Sequence, residues 1–284
     1  MNKRSTSCHP LILTISIFVV CIFCHLDKEL GSDKQKELVR ILRVCAEYCE
    51  KLANASIHFV CEERILEEIY HYRPGTYFRN QPLLIDIEQS TLVYEFQFSL
   101  DGKRIEESRT LLEEDGRRMY QKGAKLKMKS LRDVFVLLEP VRFLDKDIQK
   151  CYQYKIVKKE KFGGNSAIVI EAIPNVQESG VSSGKIWVRD GDFCLLRIEW
   201  VQKTLRDFEG IEKAPEGMEA EPHITFVTEF LNEKNGILFP SKHFVREAYL
   251  IEFSKTRRIK KEIIRSETTV AYKDYRVKNV SFKR

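Results

Sequence analysis

Residues 167–200 read AIVIEAIPNVQESGVSSGKIWVRDGDFCLLRIEW, and this stretch decides the fold. Ala167 to Ile173 is aliphatic except for Glu171 and is closed by Pro174-Asn175, a turn signal. A gap from Gln177 to Gly184 leads to a strand over 185–190, and Asp190-Gly191-Asp192 turns that strand into another over 193–202. Upstream, Gly163-Gly164-Asn165 joins 167–173 to a strand at 151–160, so four strands form an antiparallel meander. An antiparallel sheet covered on one side alternates apolar and polar residues. These strands do not. Ile186 and Val188 stand opposite Trp187, and Cys194, Leu196, Ile198 and Trp200 stand opposite Leu195 and Val201. A curved sheet whose concave face is filled by helices or by an apolar ligand accounts for the pattern. A second packed layer or a dimer interface is the alternative, and periodicity does not separate them.

The same period of two extends outward. Leu92, Tyr94, Phe96 and Phe98 alternate with Val93, Glu95, Gln97 and Ser99, and Asp101-Gly102 returns the chain over 103–112 as a hairpin. Before it, a strand starts near Ile57 with Phe59, Cys61, Ile65 and Ile69 on one parity. After an acidic loop at 203–222, strands are predicted at 223–231, at 243–253 beyond an Asn235-Gly236 turn, and at 259–273, for a total of nine or ten. Two segments have helical spacing instead. Leu38, Leu42, Cys45, Cys49 and Leu52 form the apolar stripe of a helix over 33–52, with Ser32 and Gln35 as its capping box. Ser130, Leu131, Val134, Phe135 and Leu138 fit one face of a helix that Pro140 ends, with Val141, Phe143 and Leu144 beyond it. The fold class is mainly β (α+β): a curved antiparallel sheet forming an incomplete barrel, with an N-terminal helix and an inserted helix. The insertion reads as a crossover packed on the core or as a lid over an apolar cavity.

The chain has 284 residues, 43% of them hydrophobic and 32% charged, which excludes disorder and low-complexity repeats. Its 48 basic and 42 acidic residues are interspersed, without the concentrated positive field of a nucleic-acid binder. Lys3 and Arg4 precede a run from Leu11 to Phe23 that is apolar except for Thr14 and Ser16, the layout of a secretory signal. The run is shorter than the about 20 residues of a comfortable membrane span, so a cleaved signal at 1–24 is expected, with an uncleaved anchor as the alternative, and one domain over 25–284. Five cysteines then remain, Cys45, Cys49, Cys61, Cys151 and Cys194, with Cys49 and Cys61 as a candidate disulfide pair in an oxidising compartment. The other reading makes the helical cysteines small apolar fillers.

AIVIEAIPN followed by GKIWVRDGDFCLLRIEW at 167–200 resembles the central strands of the LolA-like lipoprotein-carrier superfamily, and TTVAYKDYRVKNV at 268–280 is similar to the final strand of outer-membrane lipoprotein-sorting proteins. The resemblance covers roughly residues 33–282 in element order. It implies an incomplete barrel closed by helices, a location across the inner membrane, and an apolar cavity for acyl chains. Relatives of this kind are carriers of lipoproteins across the periplasm, envelope-stress sensor domains, or proteins of unknown role.

Known catalytic signatures such as G-x-S-x-G, H-E-x-x-H and the P-loop are missing from the chain, and His58, His71, His223 and His243 are scattered along it. The Glu62, Glu63, Glu67, Glu68 cluster reads as a solvated strand face. Two basic tracts, Arg117 to Lys129 and Lys255 to Lys261, read as soluble turns or as contacts to anionic headgroups. The expectation is a secreted, periplasmic, non-enzymatic protein without a cofactor that binds an acyl chain, a lipid or a lipidated protein, with transient membrane contact. Tyr94, Phe96, Phe98, Trp187, Leu196, Ile198 and Trp200 are expected to line the cavity, and Val134, Phe135 and Leu138 to form the lid. The alternatives are a protein-interaction or sensor module on the same fold, and a cysteine-dependent enzyme with a thiol of depressed pKa.

Overall fold

Leu38, Ile41, Cys45, Cys49 and Leu52 fall on one side of a helix and are all buried, so α1 (33–53) presents a single apolar stripe for packing. The rest of the chain supplies a sheet for that stripe to cover. The computed structural model describes residues 33–78, 81–101, 104–128, 136–175, 183–202, 220–252 and 260–282. The signal segment, Ser32, Val134 and Phe135 lie outside them.

Four strands form the first meander: β1 (Ala55–Phe78), β2 (Gln81–Asp101), β3 (Arg104–Glu114) and β4 (Arg117–Lys122). After an insertion carrying a 3-10 turn (Val136–Leu138), α2 (Glu139–Leu144) and α3 (Lys146–Gln149), the second meander begins. It comprises β5 (Tyr152–Phe162), β6 (Asn165–Pro174), β7 (Ser183–Arg189), β8 (Leu195–Gln202) and β9 (Ala220–Glu229). A small hairpin, β10 (Asn232–Lys234) and β11 (Ile237–Phe239), precedes β12 (Lys242–Glu252) and the long β13 (Lys260–Phe282). The eleven-stranded antiparallel sheet runs β4-β3-β2-β1-β13-β12-β9-β8-β7-β6-β5, with β10 and β11 apart from it. The closing strand β13 pairs with β1 and β12 and so welds the two meanders into one sheet, which stays open at β4 and β5.

That order dictates where the insertion goes. Strands β4 and β5 are the opposite edges, so the chain between them must cross a face of the sheet, and its Leu137, Phe143 and Leu144 are buried there. Pro140 does not end a helix as expected; it sits in the first turn of α2, where a proline's missing N–H costs no hydrogen bond. Two further corrections concern strands. Residues 117–122, expected as a charged turn, form the edge strand β4, whose residues are all exposed and therefore show no alternation. The Asn235-Gly236 turn does not lead from β9 into β12 but closes the β10–β11 hairpin, with φ of 52° and 72° as such a two-residue turn requires.

Candidate functional site

One face of the sheet carries nearly all of the core. A single cross-strand row runs Leu92, Ile65, Val270, His243, Thr228, Ile198, Ile186, Ile170 and Ile156 in register from β2 to β5. Seven of these nine are aliphatic, and the two polar ones are neighbours. The face is roofed by α1, the insertion and the β10–β11 hairpin, which divide it between two apolar clusters. In one, Ile198 and Trp200 meet Phe143 from α2, and Trp200 stacks on Phe226 with ring centroids 4.2 Å apart. In the other, Tyr94, Phe96 and Phe98 join Phe59, Phe239 and Leu137, with Leu138 packed alongside. The expected wall residues Tyr94, Phe96, Phe98, Ile198 and Trp200, and Leu138 of the insertion, therefore share this covered face, and what fills it here is protein.

Trp187 and Leu196 stand on the other face. A bulge where Trp187 pairs with Arg197 but Val188 pairs with Leu195 leaves Leu196 between, and both side chains join Ala167 and Val169 in a small outer cluster. Trp187 Nε1 donates to Glu160 Oε1 at 2.6 Å, and the Arg197 guanidinium lies 4.7 Å from the Trp187 ring centroid. This patch is the physical reason for the apolar character of both sides of residues 167–200: one side is covered by helices, the other by an aromatic–arginine layer.

The polar pair in the central row is bridged from the roof. Thr228 Oγ1 donates to Glu139 Oε2 at the start of α2, and it lies 2.9 Å from His243 Nδ1. With the hydroxyl proton directed at the carboxylate, Nδ1 of His243 is the donor toward Thr228 and Nε2 is an acceptor. Burial pushes the imidazole pKa down to about 4, so His243 is neutral, with the Glu139 carboxyl group 3.7 Å away. Among the described residues His243 Nε2 and Trp200 Nε1 are buried without a hydrogen-bond partner, and both side chains belong to this face. Sequence reading missed this cluster, because its members are 89 and 15 residues apart and no spacing connects them.

The glutamate cluster is half buried. Glu63 and Glu67 are each 2% exposed because odd positions of β1 face the core, which corrects the expectation of a solvated face. Glu63 takes two hydrogen bonds from Arg109, at 2.6 and 3.2 Å, and the guanidinium sits 4.4 Å from the Phe96 ring centroid. Burial opposes the charge on Arg109, but Glu63 and Glu107 outweigh it and hold the side chain protonated.

The outer face of β8, β9, β12 and β13 bears a charged groove of about 390 Å³ lined by Arg197, His223, Glu229, Lys242, Arg246 and Glu262 among others. Within it Arg197 pairs with Glu199 at 2.8 Å and His223 Nδ1 lies 3.0 Å from Glu262, while Arg246 pairs with Glu267 at 2.6 Å. Among the described residues no three His, Cys, Asp or Glu side chains are grouped to hold a metal.

All five described cysteines are free thiols. Cys49 and Cys61 do not pair, because they point into different clusters and Cys49 Sγ instead donates to Pro140 O at 3.3 Å. Burial pushes Cys45 up to about 12 and Cys194 up to about 11, and it raises Cys49 and Cys61 as well. That is the reverse of the depressed pKa that a thiol nucleophile requires.

No family model matches the chain, and no curated protein matches it. Among solved structures, it is similar to a domain assigned to outer membrane lipoprotein sorting from Vibrio parahaemolyticus, with TM-score 0.33 and 12% identity over 84% of this chain and 92% of that one. It is also similar to a LolA superfamily protein from Nitrosomonas europaea, with TM-score 0.29 and 9% identity over 85% and 97% of the two chains. A third is the MucA/MucB complex of Pseudomonas aeruginosa, with TM-score 0.24 and 12% identity over 82% and 92%. The likeness to these three structures is distant.

Proposed function

We propose that this protein is a secreted, non-enzymatic binding protein that takes up an acyl chain or a lipidated protein on the covered face, between the sheet and the insertion. The observation that carries this reading is the attachment of the roof. The insertion crosses a broad apolar face that runs from Tyr94 to Trp200, yet its described residues add no strand to the sheet over that face. Individual side chains fasten α2 there: Glu139 reaches Thr228, Phe143 packs against Trp200, and Tyr154 and Cys49 donate to the Phe143 and Pro140 carbonyls. Lifting it would expose apolar surface matched to a hydrocarbon chain. The buried Trp200 Nε1 and His243 Nε2 would then meet the polar end of such a ligand, for example an ester carbonyl or hydroxyl. Tyr94, Phe96, Phe98, Ile198 and Trp200 are the proposed wall and Leu138 part of the proposed lid; Trp187 and Leu196 are not included.

The test is titration of the secreted protein with a fluorescent fatty acid, alongside native mass spectrometry of protein purified from its own envelope. Uptake by the wild type, lost in Leu138→Asp with the fold retained by circular dichroism, is the expected result. A folded protein that neither carries an acyl ligand nor takes up the probe would overturn the reading. A second reading, a protein-interaction module on the same fold, is favoured by the ion-paired groove on the outer face, which offers a polar partner charges of both signs.

A further inference from the structure

The β1–β2 hairpin continues past the body of the sheet as an arm. Strand β3 pairs with β2 only as far as Leu92, and Asp115 closes that ladder by accepting from Thr91 N and donating its own N–H to Thr91 O, both at 2.8 Å. Residues 83–90 of β2 are paired on one side, with β1, and no described strand lies on their other side. The arm is braced: Tyr72 donates to Ile264 O at 2.8 Å and Tyr70 to Glu267 Oε2 at 3.1 Å, both on β13.

This edge differs from the two ends of the sheet. Strand β4 carries Arg117, Arg118 and Lys122, and β5 carries Lys155, Lys158, Lys159 and Lys161, the charges by which edges are kept from pairing with other chains. Residues 83–91, LLIDIEQST, contain no lysine, arginine or proline. Leu84, Ile85 and Ile87 are 42%, 55% and 44% exposed, Ile85 standing in a bulge. Partners in register share a face. Leu84 with Tyr72 and Ile87 with Tyr70 therefore make one face of the arm apolar, while Asp86 with His71 and Glu88 with Ile69 place two carboxylates on the other.

We propose that this open edge of β2 docks an extended segment of another protein by strand addition, and that the segment alternates apolar with basic residues. Its apolar side chains would continue the Leu84–Ile87 face, and its lysines or arginines would continue the Asp86–Glu88 face, in the manner of cross-strand opposite-charge pairs. The inference does not depend on acyl binding, since the arm lies apart from the roofed clusters.

The experiment uses the full chain and two end-blocked octapeptides, one alternating lysine with valine and one alternating glutamate with valine. Backbone hydrogen exchange and fluorescence anisotropy are recorded with each. The lysine peptide should bind at least about tenfold more tightly than the glutamate peptide and should slow exchange in 84–90. The doubly substituted Asp86→Lys, Glu88→Lys protein, which alters exposed positions, should reverse that preference. Equal binding of both peptides, protection elsewhere without protection of 84–90, no binding by the wild type, or an edge occupied by a second copy in sedimentation would each overturn the proposal. If the double variant does not fold, the exchange map of the wild type decides alone.

Discussion

Glu139, at the start of the short helix α2, reaches the hydroxyl of Thr228 in the middle of the sheet, and the contact is buried, with the two residues 1% and 0% exposed. It joins the insertion to β9 at the point where an otherwise aliphatic row turns polar. A buried hydrogen bond to a carboxylate fixes position more than it adds stability, since both groups had to leave water. Here the position fixed is that of the roof over the apolar face.

Thr228→Val keeps the side chain's shape but removes the hydroxyl from between Glu139 and His243. A loss of roughly 2 to 4 kcal/mol is expected from urea unfolding, because a buried carboxyl group and an imidazole N–H lose their shared partner. Adding Glu139→Leu and His243→Phe should recover part of that loss, as an apolar set replaces a broken polar one. A triple variant less stable than Thr228→Val would show that the cluster has polar demands beyond these three side chains.

The same cluster sets an acid limit on stability. His243 titrates near its ordinary value of about 6.5 when unfolded but near 4 in the fold, so between those values the unfolded chain binds more protons. Its contribution is complete above pH 6.5 and falls as pH drops from 6.5 toward 4, by roughly 3 kcal/mol in all. Denaturant midpoints measured across that window should fall more steeply for the wild type than for His243→Gln. Parallel slopes would place the acid sensitivity in other groups.

Alternation made the sheet legible where one side was apolar and the other polar, as in Leu92, Tyr94, Phe96 and Phe98, whose positions in β2 are all buried as read. The α1 stripe was legible for the same reason. Strand β4 was not, because an edge strand with both sides in water has no period to detect. Glu63 and Glu67 keep the parity of Ile65 but carry charge, and only the arrival of Arg109 from β3, 46 residues away, makes the burial of Glu63 tolerable. Pro140 illustrates a different limit: proline marks a helix boundary but not which side of it the helix occupies. The doubly apolar strands of 167–200 were recognised, yet which face met the roof depended on the bulge at Leu196, which sequence does not announce.

Arg109 and Glu63 form a paired, forked contact beside the Phe96 ring, and the arginine is 14% exposed at its side chain. Glu63→Gln should cost about 2 kcal/mol, because it takes the forked carboxylate from a largely buried guanidinium and leaves it paired with Glu107 at 3.0 Å. Arg109→Lys should also destabilise, since an ammonium cannot make two parallel bonds and stack on the ring. A double change, Glu63→Leu with Arg109→Met, should be milder than either single change would suggest by addition. Thermal or urea unfolding of the four proteins closes the cycle, and strict additivity would mean the pair is not coupled.

Thiol reactivity should rank by exposure. Cys151 is exposed, whereas Cys45, Cys49 and Cys61 are buried and held protonated. Alkylation of the folded protein near pH 8 should label Cys151 first and the three buried thiols only on unfolding, as read by peptide mass spectrometry. Rapid labelling of Cys49 in folded protein would mean that α1 and the insertion separate readily, because its sulfur is covered by Pro140.

Gly184 connects packing of the sheet to seating of the roof. A Cβ built there would lie 2.6 Å from the backbone oxygen of Glu199 on β8, 3.3 Å from Trp200 Cβ and 3.5 Å from the Phe143 ring of α2. The first contact is with backbone, so relief requires β7 and β8 to shift apart. Gly184→Ala is expected to destabilise by about 1 to 3 kcal/mol, the usual cost of overpacking. The shift would also unseat Phe143 from Trp200, so exchange at the amides of 139–144 should quicken more than exchange in β12. If the roof is the gate to the apolar face, the same variant should take up a fluorescent fatty acid faster than the wild type at a temperature where both are folded. Faster exchange in α2 without faster uptake would separate the roof from the route of entry.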